Sequence, residues 1–69
     1  MKINRSKLQL DFLIKRDREN KTILHASEEI GLNKSTIWRV FNGNEEVKLS
    51  TMAAICKWIN KPVDDYIIK

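Results

Sequence analysis

Apolar side chains recur along this 69-residue chain at intervals of three and four, the period of an α-helix resting on a core. The first such segment, 7–18, has a broad apolar surface, and the pattern leaves open which side of it faces inward. Its apolar members are Leu8, Leu10, Phe12, Leu13 and Ile14. No segment alternates between apolar and polar positions as a half-buried strand would. The pattern therefore predicts an all-α chain.

The second helical segment, 23–30, is short and is followed by a predicted turn of about three residues. Its inward stripe consists of Ile23, Ala26, Ser27 and Ile30. We expect Thr22 to cap its start. We expect the helix to end at Gly31, because glycine adopts the left-handed conformation at no steric cost. The side chain of Asn33 is then expected to cap the next helix.

The third segment, 34–42, has two distinct faces at 100° per residue. Its inward positions are Ile37, Val40 and Phe41. The opposite face carries Ser35, Trp38, Arg39 and Asn42, with Lys34 beside them at the start. We expect Gly43 to end this helix as a left-handed cap. The outer face has no apolar stripe to bury, so it is a candidate recognition surface.

Two further helices are predicted towards the C-terminal end. Segment 49–59 carries an inward stripe of Met52, Ile55, Cys56 and Ile59. Pro62 is favoured in a first helical turn, so a short fifth helix is predicted over 63–68, with two acidic residues near its positive end. Val63, Tyr66 and Ile67 are its expected buried face. The whole chain, 1–69, is thus predicted to form one domain of five helices.

Composition narrows the classes of function. The formal net charge of +4 favours an anionic partner. A single cysteine, Cys56, and a single histidine, His25, provide neither a disulfide nor four zinc ligands, so we predict no metal or cofactor and expect Cys56 to be a buried packing residue. No nucleophile–base pair or phosphate-binding glycine loop indicates an enzyme, and no catalytic residue is predicted. No apolar run or signal-peptide pattern indicates a membrane or secreted protein, so we expect a cytoplasmic one.

Two short helices joined by a turn of about three residues, with a small residue at their inner crossing, have the geometry of a helix-turn-helix. The small residue here is Ser27. The run IGLNKSTIWRVFNG over 30–43 resembles the Cro and phage-repressor type of helix-turn-helix protein, also called the xenobiotic-response-element family. The resemblance extends over 22–67. It implies a compact five-helix, lambda-repressor-like DNA-binding domain whose helix-turn-helix is formed by helices 2 and 3.

The resemblance implies roles for individual residues. Lys34, Ser35 and Arg39 lie where members of the family read base edges in the major groove. The guanidinium of Arg39 suits the O6 and N7 atoms of guanine, because it donates two parallel hydrogen bonds. Trp38 is a candidate for contact with a base or a sugar. The candidates for phosphate contact are Thr22, His25, Asn33, Asn42 and Lys48. The chain departs from the family at Ile23, where glutamine is common, and at Ser27, Trp38 and Phe41.

The predicted function is that of a sequence-specific transcriptional regulator, a Cro-like repressor that binds double-stranded DNA at a palindromic operator as a homodimer. Dimerisation only on DNA stays open, and Trp58 and Val63 are the candidate dimer residues. The expected location is the cytoplasm of a bacterial or phage-infected cell, with nucleoid association when DNA is bound. The alternative function is a protein-interaction module on the same scaffold, an antitoxin or an inhibitor that binds a partner protein.

Several residues also have plainer interpretations. Arg39 could pair with Glu45 or Glu46 instead of a base. Trp38 could brace the loop after Gly43 or cover the flank of the core. Trp58 could belong to the core, and His25 could be an ordinary surface histidine.

Overall fold

The computed structural model describes residues 2–43 and 46–68. These residues form four α-helices and one closing turn of 3-10 helix. The α-helices are α1 (Arg5–Arg18), α2 (Ile23–Ile30), α3 (Lys34–Asn42) and α4 (Leu49–Ile59), and the 3-10 turn covers Val63–Tyr66. Within the described residues, β-type pairing of the backbone is limited to one isolated bridge, between Ile3 and Ile67. The all-α prediction is confirmed, and α2, α3 and α4 have the predicted bounds.

Helix α1 begins two residues earlier than predicted. The side chain of Asn4 caps it, since its Oδ1 accepts a hydrogen bond from the amide of Lys7 at 3.1 Å. The structure also decides which side of the helix faces inward. Leu8 and Phe12, one turn apart, are completely buried, whereas Leu10 and Ile14 are exposed.

The start of α2 and the turn after it follow the prediction. Thr22 Oγ1 accepts a hydrogen bond from the amide of His25 at 3.2 Å. Gly31 has a φ of 86°, and its amide and that of Leu32 both donate to the carbonyl of Ser27, at 2.9 and 3.1 Å. This left-handed ending stops α2, and three residues separate it from the start of α3 at Lys34.

Two predicted caps of α3 are wrong. Asn33 occupies the cap position in an extended conformation, but its side chain makes no capping hydrogen bond. Gly43 is not left-handed, since its φ is −84°. A glycine is required there for a different reason: an added Cβ would lie 2.6 Å from the carbonyl oxygen of Arg39. The close approach of the backbone to α3, and not the sign of φ, excludes a larger residue.

The predicted fifth helix over 63–68 is also wrong in extent, because only one turn of 3-10 helix forms. Pro62 directly precedes this turn in an extended conformation, at the predicted boundary. The turn ends because Ile67 leaves it to pair with Ile3, and the amide of Ile68 donates to the carbonyl of Lys2 at 3.0 Å. Of its predicted buried face, Tyr66 is completely buried, while Val63 and Ile67 are half-buried.

All four α-helices contribute to one core, and Ile3 and Tyr66 complete it at the two ends of the chain. The predicted stripe of α4 is confirmed, because Met52, Ile55, Cys56 and Ile59 are all buried. The predicted role of Cys56 as a buried packing residue is confirmed as well. Among the described residues, no helix combines the length and the apolar character that crossing a membrane requires.

Candidate functional site

The outer face of α3 is the largest set of predicted site residues that the structure brings together. Helix α3 contains no acidic residue. Five residues line its exposed side: Lys34, Ser35, Trp38, Arg39 and Asn42. Within the part of the chain that the structure describes, the side chains of Lys34, Ser35 and Arg39 make no hydrogen bond or ion pair. Two cations, a hydroxyl and an indole therefore face solvent from one rigid element.

The inner face of α3 explains why its outer face is held in this orientation. Ile37 is completely buried, and Val40 and Phe41 are 3% and 7% exposed. Two small residues of α2, Ala26 and Ser27, are buried as well, at 0% and 4% exposed. The hydroxyl of Ser27 donates to the carbonyl of Leu24 at 2.7 Å, so this buried polar group has its partner inside α2. Serine is thus accommodated in the core without an unsatisfied hydroxyl.

A shallow groove of about 250 Å³ lies between α3 and the start of α4. Arg39 and Lys48 both line it, together with the hydroxyl-bearing residues Thr36 and Thr51. Lys48 was predicted only as a phosphate contact, and the structure brings it to the same groove as Arg39. Glu46 also lines the groove, so the local charge is mixed. Glu45, the other proposed partner of Arg39, lies outside the described residues.

The remaining candidates for phosphate contact are exposed and lie near the ends of α2 and α3. Thr22 directly precedes α2 and His25 lies in its first turn, and the hydroxyl oxygen of Thr22 already caps that helix. Asn33 precedes α3 with its side chain exposed. Asn42 closes α3, and its Nδ2 donates to the carbonyl of Trp38 at 3.2 Å. Asn42 stands on the outer face of α3 itself, whereas Thr22, His25 and Asn33 lie outside that helix.

The two predicted dimer residues are partly buried in the monomer. Trp58 packs against Phe12, with 5.1 Å between ring centroids, and its indole nitrogen donates to Glu29 Oε1 at 2.8 Å. Val63 packs against the core as well. Most of the surface of Trp58 is therefore buried in the monomer, as the interpretation as a core residue expects. Only its exposed edge is available to a second copy.

Four charged residues that the sequence analysis missed surround the indole of Trp58. We call these four residues together with Trp58 the Trp58 ring. It comprises Lys15, Glu19, Lys21, Glu29 and Trp58. Lys21 Nζ lies 2.7 Å from both Glu19 Oε1 and Glu29 Oε1, and Lys15 lies 3.4 Å from Glu19. Lys15 closes the ring, because its ammonium lies over the indole at 4.9 Å and donates to the carbonyl of Trp58. The ring joins α1, α2 and α4.

The ion pairs shift the pKa values of their members. The hydrogen bond from Lys21 lowers the pKa of Glu19, and hydrogen bonds from Lys21 and Trp58 lower that of Glu29. The same two carboxylates raise the pKa of Lys21. Glu29 is thus engaged by Lys21 and Trp58 at the surface, whereas Glu28 lines a groove beside the α2–α3 turn that Lys34 also lines. The two adjacent glutamates point to different surroundings.

No periodic pattern distinguished Arg5, yet its guanidinium reaches the end of α3 from the start of α1. Among the described residues, no group of three histidine, cysteine, aspartate or glutamate side chains could hold a metal ion. Comparison with family models, with curated proteins and with solved structures gives no match for this chain.

Proposed function

We propose that α2, the turn at Gly31 and α3 act as a helix-turn-helix, and that the chain is a sequence-specific DNA-binding regulator. The observation that carries this proposal is the division of α3 into a buried apolar side and an exposed side without acidic residues, on which Lys34, Ser35 and Arg39 stand. Such a helix is rigid enough to present donors at defined positions, and the major groove of DNA admits a helix of this width.

The proposed division of labour follows from side-chain chemistry. Arg39 reads a guanine with two parallel hydrogen bonds, which discriminate by about 1–3 kcal/mol against a wrong base. Lys34 and Ser35 make further contacts with base edges at the start of the helix. Lys48 binds a phosphate beside Arg39, because both residues line one groove. Phosphate contacts of this kind determine register and orientation rather than base identity.

The proposed assembly is a homodimer on a palindromic operator that acts as a repressor by occupying promoter DNA. Two copies of α3 would enter successive major grooves, with half-sites about 10–10.5 base pairs apart. The net charge of +4 supports the approach to DNA.

The test begins with selection of a site from a random duplex pool. Affinity for the selected site and for random duplex is then measured by fluorescence anisotropy at several salt concentrations, with wild type and with Arg39→Ala. Arg18→Ala is the matched control, since Arg18 is an exposed arginine at the far end of α1. We expect binding that weakens with salt at a slope of about 0.9 per phosphate neutralised.

The outcomes separate the possibilities. Arg39→Ala should reduce affinity for the selected site far more than for random duplex, while Arg18→Ala should change both little. An equal loss on both duplexes would make Arg39 a phosphate contact. Absence of salt-dependent DNA binding by the wild type would reject the proposal.

One observation favours a second candidate function, a protein-interaction module such as an antitoxin or an inhibitor. Trp38 is 44% exposed on the outer face of α3, and exposed aromatic residues are frequent centres of protein interfaces. The same titration distinguishes the two functions, because an apolar protein interface centred on Trp38 has no steep dependence on salt and needs no duplex.

A further inference from the structure

The guanidinium of Arg5 binds the backbone at the C-terminal end of α3. Its Nη1 lies 3.2 Å from the carbonyl oxygen of Arg39 and 2.5 Å from that of Val40. Arg5 is the first residue of α1, 34 positions earlier in the chain than Arg39. The contact therefore joins the start of one helix to the end of another.

The carbonyls that Arg5 binds belong to a part of the helix that needs partners. The last four carbonyls of an α-helix have no intrahelical donor. The amide of Gly43 donates to Arg39 at 2.8 Å, and Arg5 supplies a second donor there and one for Val40. A cation at this end also interacts favourably with the helix dipole. Arg5 thus stabilises the last turn of α3, from which the side chain of Arg39 projects.

Arg5 can hold α3 in place because its own backbone is held on both sides. The amide of Asn4 donates to the carbonyl of Tyr66 at 2.7 Å, and Ile3 pairs with Ile67. On its other side α1 is anchored in the core through Leu8 and Phe12. The guanidinium is therefore carried by a fixed segment of the domain.

We propose that Arg5 is a positioning residue for Arg39: it holds the backbone of the last turn of α3 so that the Arg39 guanidinium meets its base at the correct angle. The proposal rests on the proposed function, because it concerns the accuracy of DNA reading. A recognition group has to be held within about 0.5 Å and 10–20° of its productive geometry. Loss of Arg5 therefore weakens discrimination between sites without removing a contact to DNA.

The decisive measurement is the ratio of affinities for the selected site and for random duplex. Arg5→Gln keeps a polar side chain, but it is shorter than arginine and lacks the charged guanidinium. We expect it to lower this ratio by roughly three- to tenfold, less than loss of the bidentate contact of Arg39 itself. The salt slope should stay unchanged, whereas a lost phosphate contact would lower it by about 0.9. Arg5→Lys should restore part of the ratio, and Arg18→Gln is the control for loss of one charge.

A double-mutant cycle identifies the residue through which Arg5 acts. If Arg5 works by placing Arg39, then Arg5→Gln added to Arg39→Ala should cause no further loss in the ratio. A full additional loss would mean that Arg5 acts independently of Arg39. A lower salt slope, or equal losses on both duplexes, would make Arg5 a phosphate contact. Each of these three results would overturn the inference.

Amide hydrogen exchange in the free protein tests the contact without DNA. Arg5→Gln should speed exchange at Gly43 several-fold relative to amides in the middle of α4, and Arg5→Lys should do so less. If Arg5→Gln speeds exchange at Gly43 but the wild type does not bind DNA, the proposed function is rejected and the contact of Arg5 with α3 stands. Normal DNA discrimination and normal exchange in Arg5→Gln would reject the positioning role alone.

Discussion

The Trp58 ring and the outer face of α3 use the same types of side chain in opposite ways. In the ring, Lys21 lies 2.7 Å from Glu29, and Glu29 accepts a second hydrogen bond from Trp58. On the outer face of α3, Arg39 and Trp38 point to solvent. Both regions contain cations and an indole, but only the ring contains the carboxylates that pair with them.

The difference shows which charges serve the fold and which are available to a partner. Pairs between exposed charges contribute little each, and a connected set on several elements is the favourable case. The ring connects three helices, so its charges act mainly within the domain. The outer face of α3 lacks acidic residues, and its cations keep their hydrogen-bonding capacity for an anionic partner. Four predictions separate the two regions, from the largest expected effect to the smallest.

The largest effect is expected on the buried side of α3. Ile37→Ala removes a completely buried side chain and should destabilise the domain by about 2–5 kcal/mol, through lost transfer energy and the cavity left behind. Urea denaturation followed by circular dichroism measures this loss. Lys34→Ala, one turn earlier on the outer face, is the control and should change stability by less than about 0.5 kcal/mol. Similar losses in both variants would contradict the two-faced description of α3.

The second prediction concerns the planar fork of Arg39. Arg39→Lys keeps the charge but loses the bidentate geometry, because an ammonium is a point charge on a flexible stem. Affinity for random duplex should change little, while affinity for the selected site should fall about tenfold, within the range of a bidentate base contact. Competition titrations with both duplexes measure the two affinities. Unchanged discrimination between the selected site and random duplex would show that Arg39 does not read a base.

The third prediction is a pH dependence that belongs to the Trp58 ring. The pKa values of Glu19 and Glu29 are lowered in the folded chain, so their contribution to stability is complete above the ordinary range near pH 4.3 and is lost as the pH falls through the lowered values. The sign is opposite for Lys21, whose raised pKa means that its contribution is lost only as the pH rises beyond about 10.4.

Acid unfolding monitored by circular dichroism tests this dependence. Glu29→Gln should flatten the acid limb of the stability curve, whereas Glu28→Gln is the matched control from the adjacent position and should leave it unchanged. Equal flattening by the two variants would show that the ring has no special part in acid stability.

The smallest effect on stability is expected for Trp38. Trp38→Phe should leave the free energy of unfolding within about 0.5 kcal/mol, because the side chain is exposed. The emission of Trp38 should nevertheless respond to a bound partner, since it lies on the outer face of α3. Titration of wild type and Trp38→Phe with the selected duplex compares the two signals. A partner-induced change that persists in Trp38→Phe would assign the response to Trp58.

The local spacing of apolar residues was sufficient to predict most of the helices. The bounds of α2, α3 and α4 followed from apolar spacing, and the left-handed conformation of Gly31 followed from its place after the last apolar residue of α2. The two faces of α3 were predictable for the same reason, because an amphipathic helix shows its buried side in the spacing of its residues.

Most of the errors arose where distant parts of the chain meet, and the two caps of α3 are the local exceptions. The start of α1 and the end of the final 3-10 turn lie next to the pairing of Ile3 with Ile67, two residues that are far apart in the sequence. The role of Gly43 depends on how closely its backbone approaches Arg39, and φ alone does not express it. The Trp58 ring and the contact of Arg5 with α3 also link distant positions.

By itself, the sequence determined the helical class, the outer face of α3 and the residues that stand on it, because helical periodicity is a local property. The tertiary structure alone decided which charges are engaged inside the domain, that Arg39 and Lys48 share a groove, and that Arg5 holds the end of α3. The physical reason is that a salt bridge or a carbonyl contact between helices depends on how those helices pack, and the packing is a property of the whole core.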